Sequence, residues 1–209
     1  MNELAASLQD QGRLAEAERL YREALDACRR TLPAGNPEIC TSLNYLGALL
    51  RDQGNYAEAE RLLREAIETS RTSLPSGHPD TAWSLTNLAQ LLARQGDCSQ
   101  AELLYRDALE IRRKGLPAGH PYVVLSLEDI ASILRDQGKF AQAEPLYNEA
   151  LAMRRVSSGA RGKPTTRLAG VLGDLLDQTN GHAEAAALRK EYGLPDPATQ
   201  PTTRPAIRP

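Results

Sequence analysis

Apolar residues along this chain fall in two alternating helical stripes. From about residue 37 to 53, Leu43, Leu46, Gly47 and Leu50 stand at i, i+3, i+4 and i+7, the spacing of one helical face. From about 56 to 73, Ala59, Leu62, Leu63, Ala66 and Ile67 make a second face. The pair then returns at a shift of 42 residues: Leu46 becomes Leu88 and Ile130 forward and Leu4 backward, and Leu50 becomes Leu92, Leu134 and Leu8. Ala59 becomes Ala101, Ala143 and Ala17, and Ala66 becomes Ala108, Ala150 and Ala24. A fixed period of this size marks stacked copies of one supersecondary unit. The pattern predicts an all-α chain of about five helix-turn-helix repeats, over residues 1–36, 37–78, 79–120, 121–162 and 163–192. The first helix of each repeat is called A here and the second B.

The punctuation is equally regular. Gly12, Gly54, Gly96 and Gly138 suit the left-handed residue that ends helix A. In the last copy Gly181 arrives one residue late, which reads as the place where the array closes. Between B and the next A stands Leu32-Pro33-Ala34-Gly35-Asn36-Pro37, repeated as Leu74-Pro75-Ser76-Gly77-His78-Pro79 and Leu116-Pro117-Ala118-Gly119-His120-Pro121. These prolines stop one helix and open the next. Small residues (Gly47, Ala89, Ala131 on A; Ala59, Ala101, Ala143 on B) let two backbones approach closely. Pro145 inside the fourth helix B predicts a local bend or a lost backbone hydrogen bond. Arg189 takes the slot of Tyr21, Tyr105 and Tyr147 and reads as the polar outer face of a capping repeat. The Pro/Thr/Arg-rich stretch 193–209 has too little apolar surface to fold and predicts a disordered tail. Met1 falls at the place of Leu43, so the first helix A lacks its opening turn. Its upstream face is expected to be uncapped, belonging either to a piece of a larger solenoid or to a surface that pairs with something.

Leu46-Gly47-x-x-Leu50, Gly54, Tyr56, Ala59, Leu63 and Ala66 together resemble the tetratricopeptide repeat. The 42-residue length, Leu43-Asn44-Tyr45-Leu46, Gln53-Gly54-Asn55-Tyr56 and Gly77-His78-Pro79-Asp80 are similar to the kinesin-light-chain subclass. The likeness is strong over residues 1–157 and weaker over 164–192. It departs from the family at Leu43 and Leu50, where aromatics are usual. The resemblance implies a right-handed superhelical solenoid whose A helices line a concave surface, and a role in binding protein or peptide rather than in catalysis.

Composition narrows the function. A net charge of −2 with no basic stripe argues against nucleic acid as a partner. No apolar run reaches the roughly 18 residues of a membrane span, and Met1-Asn2-Glu3-Leu4 is unlike a signal peptide. Cys28, Cys40 and Cys98, with no CxxC spacing, fit a reducing, cytoplasmic setting and no zinc site. Cys28 and Cys40 flank one loop and could approach each other, but reduced thiols are expected. Cys98 takes a slot held by Leu14, Tyr56 and Phe140, as a small buried hydrophobe. His78 and His120 lie two helix layers apart, about 16–20 Å, too far to share a zinc. Glu18, Glu60, Glu102 and Glu144 beside arginines read as solvated i,i+4 pairs. With no phosphate loop, nucleophile elbow or metal motif, no cofactor is expected. A hydrolase would need a convergent cluster of titratable groups, which the sequence does not offer.

A second stripe on the A helices varies between copies while the core does not. It runs through Thr41, Asn44, Ala48 and Arg51, then Trp83, Thr86, Gln90 and Ala93, then Leu125, Glu128, Ser132 and Arg135. The candidate groove residues are therefore Thr41, Asn44, Arg51, Trp83, Thr86, Gln90, Leu125, Glu128, Ser132 and Arg135, with Arg94 beside them. The resemblance implies that Asn44 grips peptide backbone, since an amide both donates and accepts; the competing reading is a solvated helix residue. Trp83, the single tryptophan, is expected to form an apolar anchor with Leu125, while Arg51, Arg94 and Arg135 read an acidic partner. The competing reading packs Trp83 on a neighbouring loop. The expected function is a non-catalytic interaction module that binds an extended peptide or a helix in its concave groove. The alternative is a scaffold that self-associates through its first repeat, or the sensor part of a larger signalling protein.

Overall fold

The computed structural model of the chain describes residues 1–75, 77–117, 119–159 and 162–195. Among these residues all regular structure is helical. The helices are α1 (Asn2–Asp10), α2 (Leu14–Thr31), α3 (Pro37–Asp52), α4 (Tyr56–Ser73), α5 (Pro79–Arg94), α6 (Cys98–Gly115), α7 (Pro121–Asp136), α8 (Phe140–Ser158), α9 (Lys163–Gln178) and α10 (His182–Tyr192). The odd-numbered helices are A and the even-numbered ones B. None is long and apolar enough to cross a membrane.

Each inter-repeat loop works as a stop and a start. Proline opens α3 and α5 at the first turn, where its missing N–H would have no partner anyway. The residue before each proline is the N-cap. Asn36 Oδ1 accepts the Glu38 N–H at 2.9 Å. His78 Nδ1 accepts from Asp80 N at 3.2 Å, and His120 Nδ1 from Tyr122 N at 3.2 Å. Both loop histidines therefore act as helix caps through Nδ1.

Gly54 ends α3 in the left-handed region, with φ 83°. The last copy corrects the sequence reading: Asn180, not Gly181, carries the positive φ, at 63°. Asn180 lies 42 residues after Gly138, so the register does not slip. Asparagine tolerates this conformation because its short polar side chain can bond locally. Gly181 instead precedes α10 at φ −81°.

The chain divides into two compact units, Met1–Ile133 and Leu134–Pro209. In the first, α1 packs on α2, α3 on α4 and α5 on α6, while α2–α3, α4–α5 and α3–α5 join successive repeats. The A/B crossing is close: a Cβ built on Gly47 would sit 2.8 Å from Leu63 Cγ and 3.6 Å from the Ala59 carbonyl oxygen. At a 42-residue shift the equivalent pairs are Ala5 with Tyr21 and Ala89 with Tyr105. A flat ring leaves room for the alanine methyl, and a γ-branched leucine does not.

The second unit packs α9 against α8 and α10. Here Arg189 is buried rather than on an outer face as the sequence suggested. Its guanidinium fills the space over Gly173, 3.2 Å from where a Cβ would lie, and pairs with Asp174 and Asp177 at 2.7 Å each. Those pairs hold the Asp177 carboxyl below its ordinary value, helped by His182. Helix α8 runs unbroken through Pro145, which has no N–H to give the preceding turn. Leu194 remains attached, its N–H donating to Arg189 O at 2.9 Å. The expected disordered tail lies, from residue 196 on, outside the described residues.

All three cysteines are free. Cys28 faces Ser42 and Cys40 faces Ser84 and the Ala66 carbonyl. Cys98 is half-exposed at the start of α6 and not the buried hydrophobe expected, because the first turn of this B helix stays near solvent.

The Gly47–Leu63 crossing makes a test. Gly47→Ala gains about 1 kcal/mol of helix propensity but forces a methyl into Leu63, at about 1–3 kcal/mol. The expected net is a loss of about 1 kcal/mol in urea unfolding. Adding Leu63→Tyr recreates the pair of the other copies and recovers most of that loss.

Candidate interaction site

Aromatic side chains meet where α3, α5, α6 and α7 come together in the first unit. Tyr21 stacks on Tyr45 with ring centroids 5.5 Å apart, and Tyr45 meets Trp83 edge-on at 5.1 Å. Beside Trp83 opens a cavity of 270 Å³ lined by Tyr45, Pro79, Asp80, Trp83, Arg112, Leu116 and Tyr122. The residues come from the starts of α5 and α7, the middle of α3 and the end of α6. The prolines that start the A helices thus also fix the cavity's rim.

Arg112 supplies its charge. It is 8 % exposed, donates to Ser126 Oγ, and lies over the Tyr122 ring at 5.7 Å from the centroid. Burial pulls its guanidinium below its ordinary value, while Asp129 and Tyr122 pull the other way. Asp129 is the counterpart of Tyr45 and Asn87 on the A-helix face. Burial pushes its carboxyl up from 3.8 to about 6, against the pull of Arg112.

Of the candidate groove residues, Trp83 alone lines this cavity. Asn44 is fully buried: its Nδ2 donates to Cys40 O at 3.0 Å and Ser84 Oγ at 2.7 Å, and its Oδ1 accepts from Asn87 at 3.2 Å. Its amide is used between α3 and α5 and is not offered to a peptide, which corrects both readings of it. Thr86 is buried too, bonded to Ala82 O at 2.8 Å. Arg51 and Arg94 converge on Asp52, at 3.0 and 3.1 Å, and Arg51 also reaches Gln90. They close a cluster at the far end of α3 and α5 rather than flank Trp83. Leu125 is 42 % exposed but is not part of the Trp83 cavity. Thr41, Glu128 and Ser132 are half-buried on the A helices. Arg135, in the second unit, pairs with Asp136 at 2.9 Å.

Tyr45, Arg112 and Tyr122 were missed. Tyr45 follows Asn44 by one residue and so lies one position off the variable stripe. Arg112 sits on a B helix, in a column with Cys28, Ser70 and Arg154 that varies as much as any groove position. Among the described residues no three His, Cys, Asp or Glu side chains gather to hold a metal.

The tetratricopeptide-repeat family model matches residues 1–72, 38–114 and 122–192. No curated protein matches the chain. Among solved structures it is similar to the nearly identical TPR-like repeats of a Podosopora anserina protein described as a kinesin light chain. That likeness has TM-score 0.79 at 22 % identity, over 92 % of this chain and 91 % of that one. BtubC (BKLC) from P. vanneervenii gives TM-score 0.74 at 23 % identity, over 86 % of this chain and 72 % of that one. A Rap protein complexed with Competence and Sporulation Factor gives 0.70 at 12 % identity, over 90 % and 52 %.

Asp129 yields a pH test. Its folded value lies above its ordinary one, so its contribution to stability is present below about pH 4 and lost as pH rises through about 6. Asp129→Asn should therefore stabilise the protein by on the order of 1 kcal/mol near pH 7.5 and by nothing near pH 4. Thermal melts at the two pH values check this.

Proposed function

We propose that this chain, which belongs to the tetratricopeptide-repeat family, is a protein-interaction module that takes an extended peptide or a helix on its A-helix face. The cavity beside Trp83 carries the reading. Its walls are largely apolar and aromatic, suited to one large side chain, with Asp80 on one wall and the desolvated Arg112 cation at its edge. Aromatic pockets of this kind concentrate binding energy in a few residues. Arg112 takes the role that Arg51, Arg94 and Arg135 were expected to fill: it presents guanidinium donors to a carboxylate beside the anchored side chain. The similar Rap protein is complexed with Competence and Sporulation Factor, which accords with a binding role for a fold of this type.

Selection from a random-peptide display library tests the reading. The wild-type chain should enrich sequences with one large apolar residue beside Asp or Glu. The selected peptide should lose about 2 kcal/mol of binding to Trp83→Ala and about 1.5–3 kcal/mol to Arg112→Gln. Failure to enrich any motif, or full affinity in both variants, refutes it.

A second reading is self-association through the first repeat. Leu4 is 59 % exposed where its counterparts Leu46, Leu88 and Ile130 are at most 2 %, and Met1 is 62 % exposed. Light scattering across a concentration series should show a dimer that Leu4→Glu dissociates; a monomer throughout rejects this reading.

A further inference from the structure

Successive repeats in the first unit are tied together in two different ways. Between the B helices α2 and α4, two arginines cross the gap. Arg22 holds Glu58 at 2.7 and 2.9 Å, and Arg29 holds Glu65 at 2.5 Å. Shifted by 42 residues, the same two rungs between α4 and α6 would be Arg64 with Gln100 and Arg71 with Asp107.

Neither forms. Arg64 turns back to Glu60 at 2.8 Å, and Gln100 turns to Asp97 at 2.6 Å. Asp107 is one methylene shorter than Glu65, and among the described residues neither it nor Arg71 has an ion-pair partner. A cavity of 480 Å³ opens in place of the second rung, walled by Arg71, Leu74, Asp107, Ile111, Lys114 and Gly115. Gly115 stands where α2 and α4 have Thr31 and Ser73, which widens the gap further.

The A helices at this junction are tightly joined instead. Asn44 donates to Ser84 at 2.7 Å and accepts from Asn87 at 3.2 Å, Arg94 pairs with Asp52 at 3.1 Å, and Arg51 reaches Gln90. At the first junction the corresponding A-helix tie is a single bond, Asn2 to Ser42 at 3.2 Å.

We propose that the junction between the α3/α4 and α5/α6 pairs is a hinge. Its axis is the bonded seam of α3 and α5, and its open side is the crevice between α4 and α6. A seam with many hydrogen bonds resists sliding, whereas a void gives its lining no contacts to hold it shut. The cavity beside Trp83 takes Tyr45 from one side of this hinge and Trp83, Arg112 and Leu116 from the other. Closing the crevice therefore changes the 5.1 Å edge contact of Tyr45 with Trp83, and with it the cavity's width. The hinge gates the cavity whatever the cavity binds.

The experiment needs no ligand, so its failure is separate from failure of the peptide reading. Asp107→Glu copies the Arg29–Glu65 rung, and Asp107→Glu with Gly115→Ser also copies the α4 terminus. Trp83, the single tryptophan, reports on the cavity. In either variant, amide exchange in the second half of α6 should slow about tenfold. Acrylamide quenching of Trp83 should change about twofold in the same variants. Glu58→Gln, which breaks a rung at the first junction, should leave Trp83 quenching as it is. If exchange in α6 does not slow in the single variant, there is no hinge. If exchange slows but quenching is unchanged, the hinge does not gate the cavity.

Discussion

The close approach of helix A to helix B within each repeat sets everything else. Helices normally pack at about 8–10 Å, and the distance is governed by the side chains at the crossing. Here those are Gly47 over Ala59, and Ala89 with Ala101 one repeat on, all with no accessible surface where they are alanine. With the backbones this near, the leucines on either side interdigitate: Leu43, Leu46, Leu50, Leu62 and Leu63 are all at most 1 % exposed. The 42-residue period follows, because each pair presents the same two flanks to the next. The loops then need only end one helix and cap the next, which proline with asparagine or histidine does.

Once that core is fixed, the joints between repeats are where this chain differs from a uniform array. A hydrophobic flank packs without preferring one angle sharply. Polar groups are directional, and an unpaired one in the interior costs free energy. Asn44, Ser84 and Asn87 therefore define how α3 meets α5 more narrowly than the leucines beneath them. Along the B helices the directional groups are arginine–glutamate pairs, partly exposed and individually weak. Glu58 is held below its ordinary value by the Arg22 hydrogen bond. This pair strengthens the α2–α4 joint above its unfolded carboxylate range and weakens it as the pH falls through the lowered value.

Much of this was legible in the sequence because packing repeats and so leaves a period. Leu46, Leu88 and Ile130 could be aligned by eye, and their burial followed. Glycine is not the sole signal for a left-handed turn: in the last copy Asn180 serves and keeps the register. Variation between copies is not freedom from packing, as the buried Asn44 shows. A polar residue can vary and still be buried when its neighbours answer it, as the varying Asn87 and the constant Ser84 (Ser42 and Ser126 in the other copies) do here. Arg112 was hidden for the converse reason. A stripe on the A helices leaves out a wall from the end of a B helix and another from Tyr122 in the first turn of α7. Periodicity reports what every copy shares; a site assembled from three repeats leaves no period.

Arg112 and Asp129 show why the site and the scaffold are distinguishable in energy as well as in place. Both are charged groups in poorly solvated positions, and burial disfavours the charged form of each. They sit near enough to moderate one another but form no hydrogen-bonded pair, unlike Arg189, whose buried guanidinium holds two carboxylates at 2.7 Å. Arg189 resembles a structural solution: its charge is answered within the fold. Arg112 is bonded to Ser126 and lies on the face of Tyr122, with Asp129 acting on it through space and Asp80 on the same cavity. The column is neutral at Cys28 and Ser70 and cationic at Arg112 and Arg154. The cost of burying such a cation is what the carboxylate of the proposed peptide would offset.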